Sequence, residues 1–373
     1  MKKSKLLFIV NVDWFFISHR LPIALAALDK GYEVHLATTI TEFDNKLRSK
    51  GIIVHPITFK RYGFNPFILI NSFIQILFLY FRIKPNLVHL VTIQPVILGS
   101  IAAKFQSSIS VVAAISGLGF VFSSKGIYAD IRRYIVINMY RFALTKKKIC
   151  VIFQNQTDMK TIIHNTGLEK SKVVLIKGSG VDLSKYKKTP IPKDNKIVLF
   201  AGRLLKTKGL KEFLYAASCL NKKAKFVVAG KLDLENRDSI AEEELYESIQ
   251  KKHIKYIGNN KNMESIISNS SIVCLPSYYG EGLPLILIEA ASSGRPIVTT
   301  DHPGCRDAII DGVSGILVPI RDGEALTKTI RLLLDNYDLM KKMGKNARKF
   351  AEKNFDIKLV IHKHLEIYSN LSK

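Results

Sequence analysis

Cysteine is scarce and scattered. The four in 373 residues, Cys150, Cys219, Cys274 and Cys305, show no C-x-x-C spacing. This excludes a zinc ribbon and a dithiol redox pair, and leaves lone buried thiols in a reducing cytoplasm as the expectation. Long uninterrupted apolar runs are missing as well. Leu6–Val10 is too short for the core of a signal peptide and is followed by Asn11 and Asp13, so a buried first strand is expected there. Phe64–Phe81 is strongly apolar but broken by Asn65, Pro66, Asn71, Ser72 and Gln75, which makes it a poor membrane span. Acidic side chains are the third deficit: 31 stand against 56 Lys and Arg, a formal net charge of +25.

Hydrophobic residues make up 47% of the chain, which excludes disorder, and the length suffices for roughly two domains with full cores. The positive surplus calls for an anionic partner: nucleic acid, a phosphorylated substrate or acidic lipid. It is concentrated in the first half, where residues 1–190 hold 27 basic and 9 acidic side chains against 29 and 22 in the remainder. A nucleic-acid-binding protein is the alternative from a different class. It requires a basic groove with stacking aromatics or a known module, and neither is found, so no nucleic acid is expected as partner.

Short apolar runs of strand length alternate with longer segments of helical period. Seven such runs lie between Leu6–Val12 and Val173–Ile176, and six more between Ile197–Ala201 and Gly315–Val318. Continuous rather than alternating apolar strands indicate parallel sheets covered on both faces. The pattern breaks where Pro190, Pro192 and several lysines cluster, and a linker is placed at 187–196. The expected organisation is therefore two α/β domains, 1–186 and 197–355, followed by a terminal helix over 356–373. Ligands of open parallel sheets bind beyond the carboxyl ends of the strands, so chemistry is sought in the strand-to-helix loops.

Two loops of the second domain carry it. Ala201-Gly202-Arg203-Leu204-Leu205-Lys206-Thr207-Lys208-Gly209 follows its first strand, with Arg203 at the strand end and Lys208 at the helix entrance. Both cations can aim at a diphosphate, although an isolated pair of this kind is more often a solvated basic turn. Pro276-Ser277-Tyr278-Tyr279-Gly280-Glu281-Gly282-Leu283-Pro284 leads into an apolar helix. Pro284 suits its first turn, and free amides there make an anion site. Glu289 lies inside that helix between Ile288 and Ala290, where a charge is costly unless hydrogen-bonded; ribose hydroxyls are donors of the right kind. The plain alternatives are a helix-start carboxylate for Glu281 and a partly exposed one for Glu289.

Glu281 and Glu289 with seven residues between them, the Glu-Gly-Leu-Pro turn, Ala-Gly-Arg…Lys-Gly and Gly294-Arg295-Pro296-Ile297-Val298 together resemble glycosyltransferase family 4. The resemblance implies the GT-B fold, two Rossmann-like domains facing across a cleft with the last helix returning to the first, and retaining transfer from a nucleotide sugar. By that resemblance Arg203 and Lys208 neutralise the diphosphate and, with Glu281 at the donor sugar, form the catalytic set. Glu289 holds the ribose, while Gly202, Gly282, Leu283, Gly117 and Gly119 contribute to donor binding, and the base packs near 256–259. Fixed cations and helix amides can stabilise a departing diphosphate without a metal. A metal-dependent alternative needs a D-x-D-like pair; the nearest spelling, Asp233-Leu234-Glu235, sits among other acids and reads as a solvated face. No metal and no cofactor are expected beyond the UDP-sugar donor.

The first domain is more particular. Asn11-Val12-Asp13-Trp14-Phe15-Phe16-Ile17-Ser18-His19-Arg20-Leu21-Pro22 ends its first strand, where acceptors bind in this family, and lacks the glycine-rich turn of many relatives. Asp13 and His19 are the acceptor candidates; His19 could equally be a helix-entry histidine. Ser116-Gly117-Leu118-Gly119 suits close approach to the donor, His89 reads as structural, and no catalytic base is identified. His35-Leu36-Ala37-Thr38, Val88-His89-Leu90-Val91-Thr92 and Ile115-Ser116-Gly117-Leu118-Gly119 resemble, more narrowly, bacterial enzymes that extend polyprenyl-diphosphate-linked glycans. That implies a hexose or N-acetylhexosamine donor, a lipid-linked acceptor and surface-polysaccharide or glycan assembly at the inner face of the cytoplasmic membrane. Independently, Phe64–Phe81 can lie in a membrane interface, and Ile127–Lys148 mixes tyrosines with arginines and lysines as helices on anionic lipid do. Both helices could instead simply cover the sheet. The enzymatic rival is a transferase of the same fold with a soluble acceptor.

Overall fold

The computed structural model describes residues 3–60, 65–123, 126–236, 238–252, 254–260 and 262–372. The chain forms two units, Met1–Ser179 with Lys358–Lys373, and Gly180–Ile357. In the first, strands β1 (Lys5–Val12), β2 (Glu33–Thr39), β3 (Ile53–Pro56), β4 (Leu87–Val91), β5 (Ser110–Ile115), β6 (Ile149–Phe153) and β7 (Val173–Leu175) form one sheet. Its order is β3-β2-β1-β4-β5-β6-β7 and every pairing is parallel. In the second, β8 (Ile197–Ala201), β9 (Lys225–Ala229), β10 (Ile254–Tyr256), β11 (Ile272–Leu275), β12 (Ile297–Thr300) and β13 (Gly315–Val318) run in the order β10-β9-β8-β11-β12-β13, again all parallel.

The central strands are mainly apolar because helices bury both faces: Leu6 to Val10 of β1 and all of β11 and β12 are closed to solvent. In each sheet the winding reverses beside its first strand, between β1 and β4 and between β8 and β11. The loops leaving those strands diverge there and open a crevice at the carboxyl edge. The motifs read from the sequence follow β8 and β11.

Three local features differ from the sequence reading or go beyond it. The chain turns helical directly after β1, over Asp13–His19, breaks at Arg20 (φ −131°), and restarts at Leu21–Asp29 with Pro22 in the first turn. The proline- and lysine-rich stretch placed as a linker packs into the second unit: Ile191 is buried, and the buried Arg295 guanidinium donates to the carbonyls of Thr189 and of Pro190, the latter at 3.1 Å. Of the four free cysteines only Cys274 and Cys305 are buried, whereas Cys150 is half-buried and Cys219 exposed. The terminal helix Ile357–Leu371 belongs with the first unit, where the Tyr368 hydroxyl lies 2.5 Å from His89 Nδ1 and the Leu371 carbonyl accepts from Ser110. His89 is thus a core histidine, and burial with His364 beside it keeps it neutral.

The first unit also carries an exposed apolar face. Pro66–Ile83 buries Ser72, Ile76, Leu79, Tyr80 and Ile83 and exposes Phe67, Ile70, Ile74, Phe78 and Phe81 at helical spacing. By length and composition alone this helix could cross a membrane; Phe64, where the apolar stretch begins, lies outside the described residues. Ile127–Ala143 exposes Ile127, Tyr128, Ile131, Tyr134 and Phe142, and Lys104 Nζ sits 3.5 Å above the Phe142 ring. Both helices pack against Ile93–Ala102.

Candidate functional site

Two loops at the carboxyl edge of the second sheet are fastened to each other. After β8 the chain passes through a single 3-10 turn, Lys206–Lys208, and reaches Gly209 at φ +77°. A methyl at Gly209 would stand 2.1 Å from the Pro276 carbonyl oxygen, so only glycine lets the β8 loop lie against the β11 loop. The Tyr278 amide then donates to the Thr207 carbonyl at 2.9 Å.

This fastening brings the charges together. Lys208 Nζ lies 2.5 Å from Glu281 Oε1, with the side chains only 10% and 13% exposed, and Ser277 Oγ donates to the same oxygen at 2.9 Å. Arg203 donates to Asp233 at 3.2 Å, and its guanidinium and the Lys208 ammonium stand 5.5 and 5.8 Å from the Tyr279 ring centre. Asp233 is therefore a mostly buried ion-pair partner after β9, not part of a solvated face. Sequence reasoning missed it because its partner lies 30 residues away.

Glu289 is buried on the helix Leu285–Ser292, which excludes a partly exposed carboxylate. Its Oε1 accepts from the Tyr186 hydroxyl at 2.7 Å. Burial pushes this carboxyl up to about 7, and the Tyr186 hydrogen bond and nearby Lys185 pull it back only in part. One bond leaves most of the acceptor capacity of a carboxylate unused. Pro284 occupies the residue before the helix rather than its first turn. Leu283 is buried, and Gly304, after β12, lies under the loop: a Cβ there would come within 2.6 Å of the Glu281 and Gly282 carbonyl oxygens. Tyr186 and Gly304 were not singled out from the sequence; a glycine in a strand-end turn at the same edge was the available signal. Gly202 follows β8 at φ +155°, and Tyr256, in the stretch expected to meet the base, donates to the Gly230 carbonyl.

The remaining candidates belong to the first unit. Gly117 and Gly119 follow β5 at positive φ. His19 ends its helix half-buried, stacked on Phe15 at 4.0 Å, with Nδ1 2.6 Å from Ser18 Oγ. Asp13 departs from its expected role. Its carboxylate is fully buried and accepts from the Trp14 and Thr41 amides and the Thr41 hydroxyl at 2.8, 2.8 and 2.7 Å, so it fastens β1 to the segment after β2. Among the described residues no group of three His, Cys, Asp or Glu is placed to hold a metal ion.

Residues 183–350 match the family model for glycosyl transferases group 1, and residues 5–155 match the glycosyl transferase 4-like model. Over 379 aligned residues the chain is 28% identical to the N,N'-diacetylbacillosaminyl-diphospho-undecaprenol alpha-1,3-N-acetylgalactosaminyltransferase of Campylobacter jejuni, covering 96% of this chain and 98% of that protein. It is 24% identical to the capsular polysaccharide biosynthesis glycosyltransferase CapM of Staphylococcus aureus, covering 100% and 99%. Among solved structures, a Rickettsia africae glycosyltransferase superposes with a TM-score of 0.79 at 20% identity across the whole of both chains. Anabaena HepE, solved with UDP, superposes with 0.78 at 17% identity over 98% of this chain and all of that one.

Proposed function

Since the chain belongs to the group 1, family-4-like glycosyltransferases and has their GT-B fold, we propose that it transfers a hexose or N-acetylhexosamine from a UDP-sugar to a polyprenyl-diphosphate-linked saccharide, with retention at the anomeric carbon. The observation that carries this reading is the fastened pair of loops that sets Arg203, Lys208 and Glu281 at one sheet edge, just before the helix holding Glu289. The acceptor class is supported by the nearly full-length likeness to the Campylobacter enzyme, whose name specifies an undecaprenyl-diphosphate acceptor. The nucleotide is supported by the UDP bound in HepE.

In this mechanism the diphosphate rests against Arg203, Lys208 and the amides that open the helix Leu285–Ser292, while the ribose donates to Glu289. The bond from the anomeric carbon to the diphosphate oxygen breaks, and a bond to the acceptor oxygen forms on the same face. The acceptor proton passes to the departing diphosphate, so no enzyme nucleophile is required. Preorganised cations stabilise the growing charge in place of a metal. Glu281, held by Lys208, orients the ammonium and meets the donor sugar.

The exposed aromatic faces of Pro66–Ile83 and Ile127–Ala143, with the basic surplus of the first half, support peripheral docking on anionic lipid at the inner face of the cytoplasmic membrane. The test is to incubate the protein with UDP-glucose, UDP-galactose, UDP-GlcNAc and UDP-GalNAc and a short-chain polyprenyl-diphosphate monosaccharide. One of them should add a single sugar to the lipid by mass spectrometry. Transfer only to free sugars or sugar phosphates would overturn the acceptor assignment.

A further inference from the structure

One buried charge in the first unit lacks a counter-charge. Arg20, between the helices Asp13–His19 and Leu21–Asp29, is 2% exposed. Its guanidinium donates to the His19 carbonyl at 2.9 Å, Ser116 Oγ at 3.1 Å and Ser179 Oγ at 3.2 Å, all neutral. Among the described residues its Nε has no hydrogen-bond partner and no carboxylate pairs with it. Burial lowers its pKa to about 10, so it stays protonated at neutral pH. Removing such a charge from water is costly unless an anion completes the site.

The surroundings lie at the carboxyl edge of the same sheet. Ser116 follows β5 and Ser179 follows β7, each beside a glycine at positive φ, Gly117 and Gly178. Both hydroxyl oxygens accept from Arg20, and Ser179 Oγ also accepts from Gln154 at 3.4 Å, so each hydroxyl hydrogen is left for a further acceptor. At the ends of the adjacent strands β1 and β4, Asn11 Oδ1 and Thr92 Oγ1 are buried with no hydrogen-bond partner among the described residues. Thr92 adopts φ +75°, which a β-branched residue rarely holds outside a functional site. Orphaned polar atoms, a strained threonine and an uncompensated cation thus share the edge where sheets of this winding take ligands.

We propose that Ser116 and Ser179, polarised by Arg20 behind them, form a phosphoryl-binding site in the first unit that takes the diphosphate of the isoprenoid-linked acceptor. The assignment rests on the acceptor class proposed above. The cations proposed for the nucleotide belong to the second unit, and the exposed apolar helices that suit an isoprenoid lie on the same unit as Arg20. Ser116 and Ser179 contact the ligand; Arg20 is a positioning residue.

The full-length protein is tested by thermal unfolding with farnesyl diphosphate, farnesol, inorganic pyrophosphate and UDP, and by steady-state kinetics. With UDP at saturation, so that the nucleotide site is filled, farnesyl diphosphate and pyrophosphate should further stabilise the wild type, and farnesol should not. Ser116→Ala with Ser179→Ala should lose that stabilisation, keep the UDP effect, and raise the acceptor KM roughly tenfold to a hundredfold. Arg20→Gln should behave alike and Arg20→Lys should recover part of the binding; if Arg20→Gln does not fold, the serine pair still decides. An unchanged farnesyl diphosphate shift in the serine variant, an equal shift from farnesol, or loss of the UDP effect instead would overturn the site. A wild type that transfers no sugar yet shows the serine-dependent shift would refute the transferase reading and leave the anion site standing.

Discussion

Replacing Glu289 by glutamine should make the protein more stable and less able to bind nucleotide. The folded carboxyl is raised by burial from 4.5 to about 7. The folded state therefore retains a proton that the unfolded chain releases between those values. Stability from this group is complete below pH 4.5, declines as pH rises towards 7, and stays low above it. At 1.36 kcal/mol per unit, the wild type loses about 2 to 3 kcal/mol between pH 5 and pH 8 through this group. Glutamine has no proton to lose and can still accept from Tyr186. Urea unfolding followed by circular dichroism should show the advantage of Glu289→Gln over wild type growing by that amount from pH 5 to pH 8. The same variant should bind UDP roughly tenfold to a hundredfold more weakly at pH 8, because a charge-assisted bond to ribose becomes neutral. Wild-type affinity should fall below pH 7 while the variant's stays flat. Parallel stability profiles, or undiminished UDP binding by the variant, would refute the reasoning.

Arg203→Ala and Lys208→Ala should each lower kcat by roughly 10²- to 10³-fold with the fold intact, as for loss of one preorganised charge; wild-type rates would remove the assigned role. Gly304→Ala should reduce turnover while the second unit keeps its helical signal, because the added methyl displaces the Glu281–Gly282 backbone 2.6 Å away; unchanged kinetics would show that the loop tolerates the shift. EDTA should leave activity unaltered, and a loss restored by a divalent cation would contradict metal independence. Replacing Phe67, Phe78, Tyr128 and Tyr134 by serine should abolish flotation with anionic vesicles without unfolding the protein, since these rings are 62 to 89% exposed; persistent flotation would locate the membrane face elsewhere.

What could be read from the sequence divides by separation along the chain. Both sheets were legible because most strands are short apolar runs, and the position of Arg203, Lys208, Glu281 and Glu289 at a sheet edge was legible because they lie in or just after strand-end loops. The partners that fix them were not. Tyr186 precedes Glu289 by 103 residues, and Asp233 follows Arg203 by 30. Asp13 misled for the same reason: a carboxylate at a strand end resembles a ligand contact until Thr41, 28 residues on, encloses it. Arg20 gave no signal, since a single arginine between two helices is ordinarily solvated. The lysine-rich stretch before β8 could be read as non-helical from its prolines, but its packing against Arg295 required the tertiary structure.

The central claim is that Arg203, Lys208 and the start of the helix Leu285–Ser292 hold the diphosphate of a nucleotide, with Glu289 on its ribose. A crystal structure of the protein soaked with UDP tests it most directly. The account predicts phosphate oxygens within hydrogen-bond reach of Arg203 and Lys208 and a ribose hydroxyl on Glu289. UDP bound elsewhere, or none at saturating concentration, would contradict it.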